Sequence, residues 1–291
     1  MAGFSRWIRD GIGRTLPGMD DPSPVLRAEI TSAANERLRA WAKLLASRHR
    51  RQQGRFLVEG REVLVRAGEA GMTVETLLAS AALPADEVEA MAARLGAGEV
   101  VRLRPGLLGK VSVRQHPADL VGVACTPGRG WERSLPGDGL LVVADHLEKP
   151  GNLGALARTA RAAGAAGLVL SDPLVDPENP AVLHASRGHI CALPVWEGPA
   201  EEVRARLRAE GYRLVAADPE GASAYTEVSW PSPLAVVLGE EHRGLGAAWR
   251  GPGVERVRIP MAGGVDSLNV SVSGALLLYE YARAHDFPLR R

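Results

Sequence analysis

Residues 259–283 read Ile-Pro-Met-Ala-Gly-Gly-Val-Asp-Ser-Leu-Asn-Val-Ser-Val-Ser-Gly-Ala-Leu-Leu-Leu-Tyr-Glu-Tyr-Ala-Arg. Pro260 removes a backbone donor and Gly263-Gly264 permits positive φ, so a strand that enters this stretch has to end there. Apolar residues then recur at helical spacing over 268–281, and Asp266-Ser267 offers N-cap side chains just before them. The stretch therefore predicts a strand end, a glycine loop and a buried helix.

Three small polar side chains, Ser267, Asn269 and Ser271, lie at the start of this predicted helix. The first N–H groups of a helix have no intrahelical partner, so such an end can hold a polar ligand. For one helix taken alone, simple capping explains these side chains better. Two further stretches favour a ligand site, and they read Asp145-His-Leu-Glu-Lys-Pro-Gly-Asn-Leu-Gly-Ala-Leu-Ala-Arg-Thr-Ala160 and Val237-Leu-Gly-Glu-Glu-His-Arg-Gly-Leu-Gly246.

The composition is that of a globular protein without a membrane segment. A length of 291 residues favours two domains, and an apolar content of 46% is sufficient for packed cores. No run approaches the ~20 apolar residues of a membrane span, and the N-terminus lacks the apolar core of a signal peptide. Two cysteines without a Cys-x-x-Cys pattern argue against a disulfide framework and a structural zinc site. We therefore predict a cytoplasmic location.

The net charge of +1 gives no overall attraction to nucleic acid, but 32 of the 35 basic residues are arginines. The planar guanidinium group suits phosphate binding. One local cluster, which we call the Arg48–Arg55 cluster, is a candidate patch for RNA phosphates; its members are Arg48, Arg50, Arg51 and Arg55. A solvated basic helix end explains the same residues equally well.

The chain divides into four segments by pattern. Residues 1–28 are predicted to be a flexible N-terminal extension, 29–125 a small mixed α/β domain, and 126–138 a linker rich in proline and glycine. Over 139–291, buried apolar strands alternate with helices, which predicts an α/β domain with a parallel sheet covered on both faces. The predicted elements there include a strand at 190–195 and a last helix at 267–285.

In such sheets, ligands bind beyond the carboxyl ends of the strands. Asn152, Gly239 and Ile259 all follow predicted strand ends, so we expect the three stretches to meet at one rim. The glycine fingerprint of dinucleotide sites and the phosphate-loop lysine are both absent from these stretches, which argues against nucleotide cofactors. His184 and His189 are five residues apart and face different ways, so we expect no metal.

The three stretches resemble, in the same order, the three motifs of the SpoU/TrmH family of RNA ribose 2′-O-methyltransferases, within the SPOUT superfamily. The resemblance covers roughly residues 139 to 285. In addition, Phe56-Leu-Val-Glu-Gly-Arg-Glu-Val63 resembles the opening of the substrate-binding domain that precedes the catalytic domain in many members. The resemblance implies a trefoil-knotted domain, a homodimer, S-adenosylmethionine as cofactor and RNA as substrate.

The resemblance also implies site residues. Arg158 matches the catalytic arginine, and the other polar motif positions are Asn152, Glu241, Ser267 and Asn269. The cofactor pocket corresponds to Ala216, Asp218, Leu238, Gly239, Ile259, Met261 and Leu268. Arginine holds its proton too firmly to be a comfortable general base, so we expect Arg158 to bind the target phosphate or the developing alkoxide. His242-Arg243 departs from the smaller residues often found in motif two.

The predicted function is S-adenosylmethionine-dependent methylation of a ribose 2′-hydroxyl in RNA. Because an accessory domain resembles the ribosomal-RNA-modifying members, 23S ribosomal RNA is the expected substrate, in either a housekeeping role or self-protection against an antibiotic. The alternatives are a transfer-RNA 2′-O-methyltransferase, a non-catalytic RNA-binding paralogue and a Rossmann-type dehydrogenase.

Overall fold

The structure, a computed structural model, describes residues 25–240 and 243–287. Its N-terminal domain is a five-stranded sheet with helices on both faces. The elements are β1 (Val25–Ile30), α1 (Glu36–Lys43), α2 (Ser47–Gln53), β2 (Arg55–Glu59), α3 (Arg61–Glu69), β3 (Val74–Ser80), α4 (Ala85–Leu95), β4 (Glu99–Leu103) and β5 (Leu120–Cys125).

The sheet has the strand order β1-β4-β3-β5-β2, and β5 runs antiparallel to both of its neighbours. Successive strand residues point to opposite faces, so Leu77 packs in the core beneath α3 and α4, whereas Leu78 packs beneath α1. The predicted mixed α/β domain is confirmed.

One boundary differs from the expectation, and one further helix is found. The first strand begins at Val25 and pairs with β4, so the sheet starts inside the predicted extension; residues 1–24 lie outside the described residues. The Arg48–Arg55 cluster begins within a helix, α2, whose C-cap Gly54 has a φ of 60°. A left-handed glycine ends the helix and turns the chain directly into β2.

The C-terminal domain is a seven-stranded sheet in which every strand pair is parallel, with the order β10-β12-β9-β11-β6-β7-β8. The elements are β6 (Leu140–Asp145), α5 (Pro150–Ala162), β7 (Gly167–Ser171), α6 (Pro180–Ala185), β8 (Val195–Gly198), α7 (Ala200–Ala209), β9 (Arg213–Ala217), β10 (Ser223–Ala224), β11 (Leu234–Leu238), β12 (Val254–Arg258) and α8 (Val270–Ala284). The predicted parallel sheet is confirmed. The strand predicted at 190–195 is wrong, because a 3-10 turn (His189–Ala192) fills most of that segment.

Helices cover the sheet on both faces, with α5, α6 and α8 on one side and α7 on the other. The last helix follows β12, yet it packs on α5 and β11, on the other side of β9. At the crossing, a Cβ on Gly274 would lie 2.6 Å from Leu156 Cδ1, so a larger residue there would displace leucine side chains between the helix and its neighbours. The trefoil knot stays a prediction.

The two domains share a packed junction. Helix α6 and the 3-10 turn contact β2 and α3, and the apolar core runs from one domain into the other. The predicted linker is fastened to the second domain, since Trp131 Nε1 donates to Glu197 O at 3.1 Å and Trp196 Nε1 donates to Arg133 O at 3.0 Å. Among the described helices, none combines the length and apolar character needed to cross a bilayer.

Candidate active site

A cleft opens at the carboxyl ends of β9, β11 and β12. It is lined by Ala217, Asp218, Pro219, Leu238, Gly239, Glu240, Gly244, Val257, Ile259, Met261, Ser267, Leu268, Val270 and Ser273. Strand ends supply its floor, and the segment between β12 and α8 supplies one wall. This is where parallel α/β sheets bind ligands, because the connecting loops leave a crevice there.

The structure places six of the seven predicted cofactor residues in this cleft: Asp218, Leu238, Gly239, Ile259, Met261 and Leu268. Ala216 is the exception. It is fully buried and packs in the core on the α7 face of the sheet. Its neighbour Ala217 points to the opposite face and lines the cleft, because side chains alternate along a strand.

The motif-two loop, residues 239–246, folds tightly on itself. Glu240 N donates to Gly244 O at 3.1 Å, and Gly244 N donates to Glu240 O at 2.9 Å. A Cβ on Gly239 would lie 2.4 Å from Gly244 O, so the loop requires glycine at this position. The predicted Glu241 lies outside the described residues, as does His242.

Asp145, which ends β6, anchors the far side of this loop. Its Oδ2 accepts the Gly246 N–H at 2.8 Å, and its Oδ1 accepts the Ser171 hydroxyl at 2.7 Å. Ser171 Oγ in turn accepts from Trp249 Nε1 at 3.2 Å. Sequence reasoning gave Asp145 no role, although an acidic residue that ends a run of buried apolar strand residues is a visible signal.

Asp145 also belongs to the group of possible metal ligands that the described residues form, together with His146 and Asp172. The ligand atoms lie within 4.8 Å of one another. However, Asp145 is completely buried and both of its oxygens already accept hydrogen bonds from the protein. We therefore assign Asp145 to holding the motif-two loop.

Motifs one and three meet directly. Asn269 Nδ2 donates to Asn152 Oδ1 at 3.1 Å. Asn269 Oδ1 accepts from Ser271 N at 3.0 Å, so Asn269 is the N-cap of α8 and the expected cap at Asp266-Ser267 is wrong. Ser267 is exposed and lines the cleft three residues before the helix. The expected meeting of three distant stretches at one rim is thus present.

Comparisons with known proteins show which family the chain belongs to. A model of the SpoU rRNA Methylase family matches residues 139–279, and a model of the MRM3-like substrate binding domain matches residues 35–122. The 23S rRNA (uridine(2479)-2′-O)-methyltransferase of Streptomyces viridochromogenes is 32% identical over 273 residues, which cover 88% of this chain and 95% of the relative. This chain belongs to the SpoU family of RNA methyltransferases.

Solved structures of family members share the whole architecture. An RNA 2′-O ribose methyltransferase matches with a TM-score of 0.77 at 41% identity, over 88% of this chain and 99% of that chain. The AdoMet-bound rRNA methyltransferase of Sinorhizobium meliloti matches with a TM-score of 0.80 at 28% identity, over 88% of this chain and 97% of that chain. The predicted family, fold and enzyme class are confirmed.

Within this SpoU-family site, Arg158 does not line the cleft of its own chain. It is exposed on α5 and lies about 120° around the helix from Asn152, because six residues span 1.7 turns. The positive charge of Arg158 acts instead on the imidazole ring of His189. Burial lowers the pKa of His189, and the positive charges of Arg66, Arg158 and Arg161 lower it further.

The members of the Arg48–Arg55 cluster differ in burial and in ion pairing. Arg50 is only 3% exposed; its Nε and Nη2 donate to the two oxygens of Asp176 at 2.9 and 2.7 Å. Its guanidinium is already paired with a carboxylate, which argues against the predicted RNA contact by Arg50. Arg55 is paired with Glu75, whereas Arg48 and Arg51 are exposed.

Proposed function

We propose that this chain transfers a methyl group from S-adenosylmethionine to a ribose 2′-hydroxyl in ribosomal RNA, in the cytoplasm. The observation that carries the proposal is the convergence of three distant motifs on one cleft. Asn152 and Asn269 are joined by a hydrogen bond beside that cleft, and Gly239 and Ile259 line it.

The cleft lining fits the cofactor. Leu238, Ile259 and Leu268 present apolar surface suited to an adenine ring, and Asp218 and Glu240 present carboxylates suited to ribose hydroxyls and a positively charged sulfur. Asp218 is held in place, since its Oδ1 accepts the Glu220 N–H at 2.9 Å and its Oδ2 accepts from Arg256 Nη1 at 3.2 Å. When bound there, S-adenosylmethionine would supply an activated methyl group.

The polar residues beside the cleft position the RNA. Asn152, Ser267 and Asn269 offer hydrogen-bonding groups to the target ribose, and we keep Glu241 in the set from its motif position. The guanidinium group of Arg158 has donors and no acceptor, so it binds the target phosphate or stabilises the developing alkoxide. Alignment of the hydroxyl with the methyl carbon then lowers the barrier to an in-line displacement.

A homodimer brings Arg158 to a cleft. In a single chain Arg158 lies on the flank of α5 away from Asn152, so the cleft of a second copy is the one it completes. The exposed face of α8 carries Val272, Leu276 and Tyr279 at helical spacing, and Val265 is exposed nearby. An apolar face of this kind on a soluble chain suits self-association.

Ribosomal RNA is favoured as the substrate by the first domain and by the relatives. The match to the MRM3-like substrate binding domain covers most of that domain. The relative from Streptomyces viridochromogenes is named for methylating 23S ribosomal RNA. Catalysis is favoured over RNA binding alone because Asn152, Arg158, Ser267 and Asn269 are all present.

The test is transfer of tritiated methyl groups from S-adenosylmethionine to purified 23S ribosomal RNA and to transfer RNA, with primer-extension mapping of 2′-O-methyl sites. We expect labelling of 23S RNA at a ribose by the wild type, and labelling slower by a factor of about 10²–10³ by Arg158→Ala. Labelling of transfer RNA alone would show that the chain is a transfer-RNA 2′-O-methyltransferase and would overturn ribosomal RNA as the substrate. RNA binding without any transfer would support the non-catalytic paralogue, and calorimetric binding of NAD in place of S-adenosylmethionine would support a dehydrogenase.

The arrangement across two copies has its own test, in which Arg158→Ala protein is mixed with Leu268→Asp protein. The first variant keeps its cleft and the second keeps its arginine. Mixed dimers then contain one complete site, so activity returns on mixing. If Arg158 served the cleft of its own chain, the mixture would stay inactive, because neither chain carries both parts.

A further inference from the structure

The junction between the two domains carries a second basic surface, on the side of α3. There the Arg187 side chain donates to Glu62 Oε2 at 2.8 Å, and Arg66 Nη1 donates to Arg187 O at 2.6 Å. Gly188 allows the chain to approach α3 closely, since a Cβ on it would lie 3.2 Å from Val63 Cα. These contacts fix the 3-10 turn, and with it His189, against α3.

The 3-10 turn that carries His189 packs against α3 of the first domain and against α5 of the second, so positive charge from both domains gathers around His189. Arg66 comes from α3, and Arg158 and Arg161 come from one side of α5. The carboxylate that acts on the same ring is Glu62, which is already paired with Arg66 and Arg187. Arg158 and Arg161 form no ion pair with any residue in the described part of the chain. Like charges left this close without counterions favour an anionic ligand.

The basic surface continues into the first domain. A Cβ on Gly60 would lie 3.7 Å from Arg114 Nη1, so Arg114 sits at the start of α3. Its loop, residues 112–119, is mostly exposed. From Gly60 to Arg66 the helix rises about 9 Å, so Arg114, beside the start of α3, and Arg66, in its last turn, mark a line along the helix.

We propose that the RNA backbone crosses the domain junction along this line, which we call the junction track: Arg114, Arg66, His189, Arg161 and Arg158. The proposal rests on the proposed function and adds the path by which the substrate reaches Arg158. The four arginines of this track are separated, fork-shaped donors, which suit successive phosphates of a polyanion. The track also ends at the residue assigned to the reacting nucleotide. It replaces the Arg48–Arg55 cluster as the main phosphate-binding surface.

The experiment measures binding of a protein-free 23S ribosomal RNA transcript by filter retention over a potassium chloride titration. Arg161→Ala and Arg114→Ala should each weaken binding and reduce the slope of log affinity against log salt by about one. The double variant should reduce it by about two if the contacts are independent. S-adenosylmethionine affinity, measured by calorimetry, should stay at the wild-type value in all three.

The matched control is Arg39→Ala. Arg39 is exposed on α1, on the opposite face of the same sheet, and forms no ion pair with a described residue. Its removal should leave the slope unchanged. Wild-type slopes for Arg161→Ala and Arg114→Ala, or a larger loss from Arg48→Ala than from either, would overturn the junction track. If the wild type itself neither bound nor methylated RNA, the proposed function would fail, which is a distinct result.

Discussion

The Arg48–Arg55 cluster and the junction track are both rich in arginine, yet their surroundings differ. In the cluster, Arg50 is buried against Asp176 and Arg55 is paired with Glu75. In the track, Arg66 is paired with Glu62, but Arg158 and Arg161 lie near an imidazole and other arginines and form no ion pair with a described residue. A run of basic residues in the sequence therefore does not identify a binding surface. What matters is whether the fold brings carboxylates to the guanidinium groups.

The largest expected effect is a loss of stability in the Arg50→Ala variant. Asp176 is 6% exposed and would lose its partner, and an uncompensated buried charge costs about 3–5 kcal/mol. Urea unfolding should show this loss, while Arg48→Ala should stay within about 0.5 kcal/mol of the wild type. Equal effects from the two variants would remove the distinction between a structural and a solvated arginine.

The same ion pair makes stability depend on pH. Burial alone would raise the pKa of Asp176, but hydrogen bonds and charge from Arg50 outweigh it and the pKa is lowered. A lowered pKa means that the pair stabilises the fold above the unfolded value of about 3.9 and that this contribution is lost as pH falls through the folded value. The stability difference between wild type and Asp176→Asn should therefore shrink on acidification below about pH 4. A difference that grew would contradict the assignment.

In contrast to Arg50→Ala, the Arg158→Ala variant should lose methyl transfer and keep its stability. An arginine that stabilises charge in the transition state contributes about 3–4 kcal/mol, so methyl transfer should fall by a factor of about 10²–10³. Its side chain is exposed and makes no ion pair with a described residue, so urea unfolding should change by less than about 0.5 kcal/mol. Retained activity would remove Arg158 from the site.

The smallest expected effect is the loss of stability in the Arg55→Ala variant. Arg55 and Glu75 are both partly exposed, and exposed pairs contribute about 0.2–1 kcal/mol. The loss should decrease further at high salt, because solvent-exposed pairs are screened. Unfolding measured at low and high potassium chloride concentrations checks this. A loss as large as that of Arg50→Ala would show that exposure does not separate the two pairs.

Much of the fold and site could be predicted from local patterns. Periodicity predicted the alternation of buried strands and helices over 139–291 because each element depends on residues close in sequence. The segment 189–192 was misread because its short apolar run fits a strand as well as a 3-10 turn. Likewise, Asp266 and Ser267 are as suitable for capping as Asn269, and only the hydrogen bond from Ser271 N shows which residue caps.

By itself, the sequence determined the family, the parallel sheet, the three motifs and the glycines that their loops require. The tertiary structure alone decided that Ala217 and not Ala216 lines the cleft and that Asp145 holds the motif-two loop. It also decided that Arg50 is buried and Arg161 is exposed. The reason is physical. Local spacing sets helices, strands and turns, but a side chain's charge partner can lie far away in sequence, as Asp176 lies 126 positions from Arg50, and only packing brings the two together.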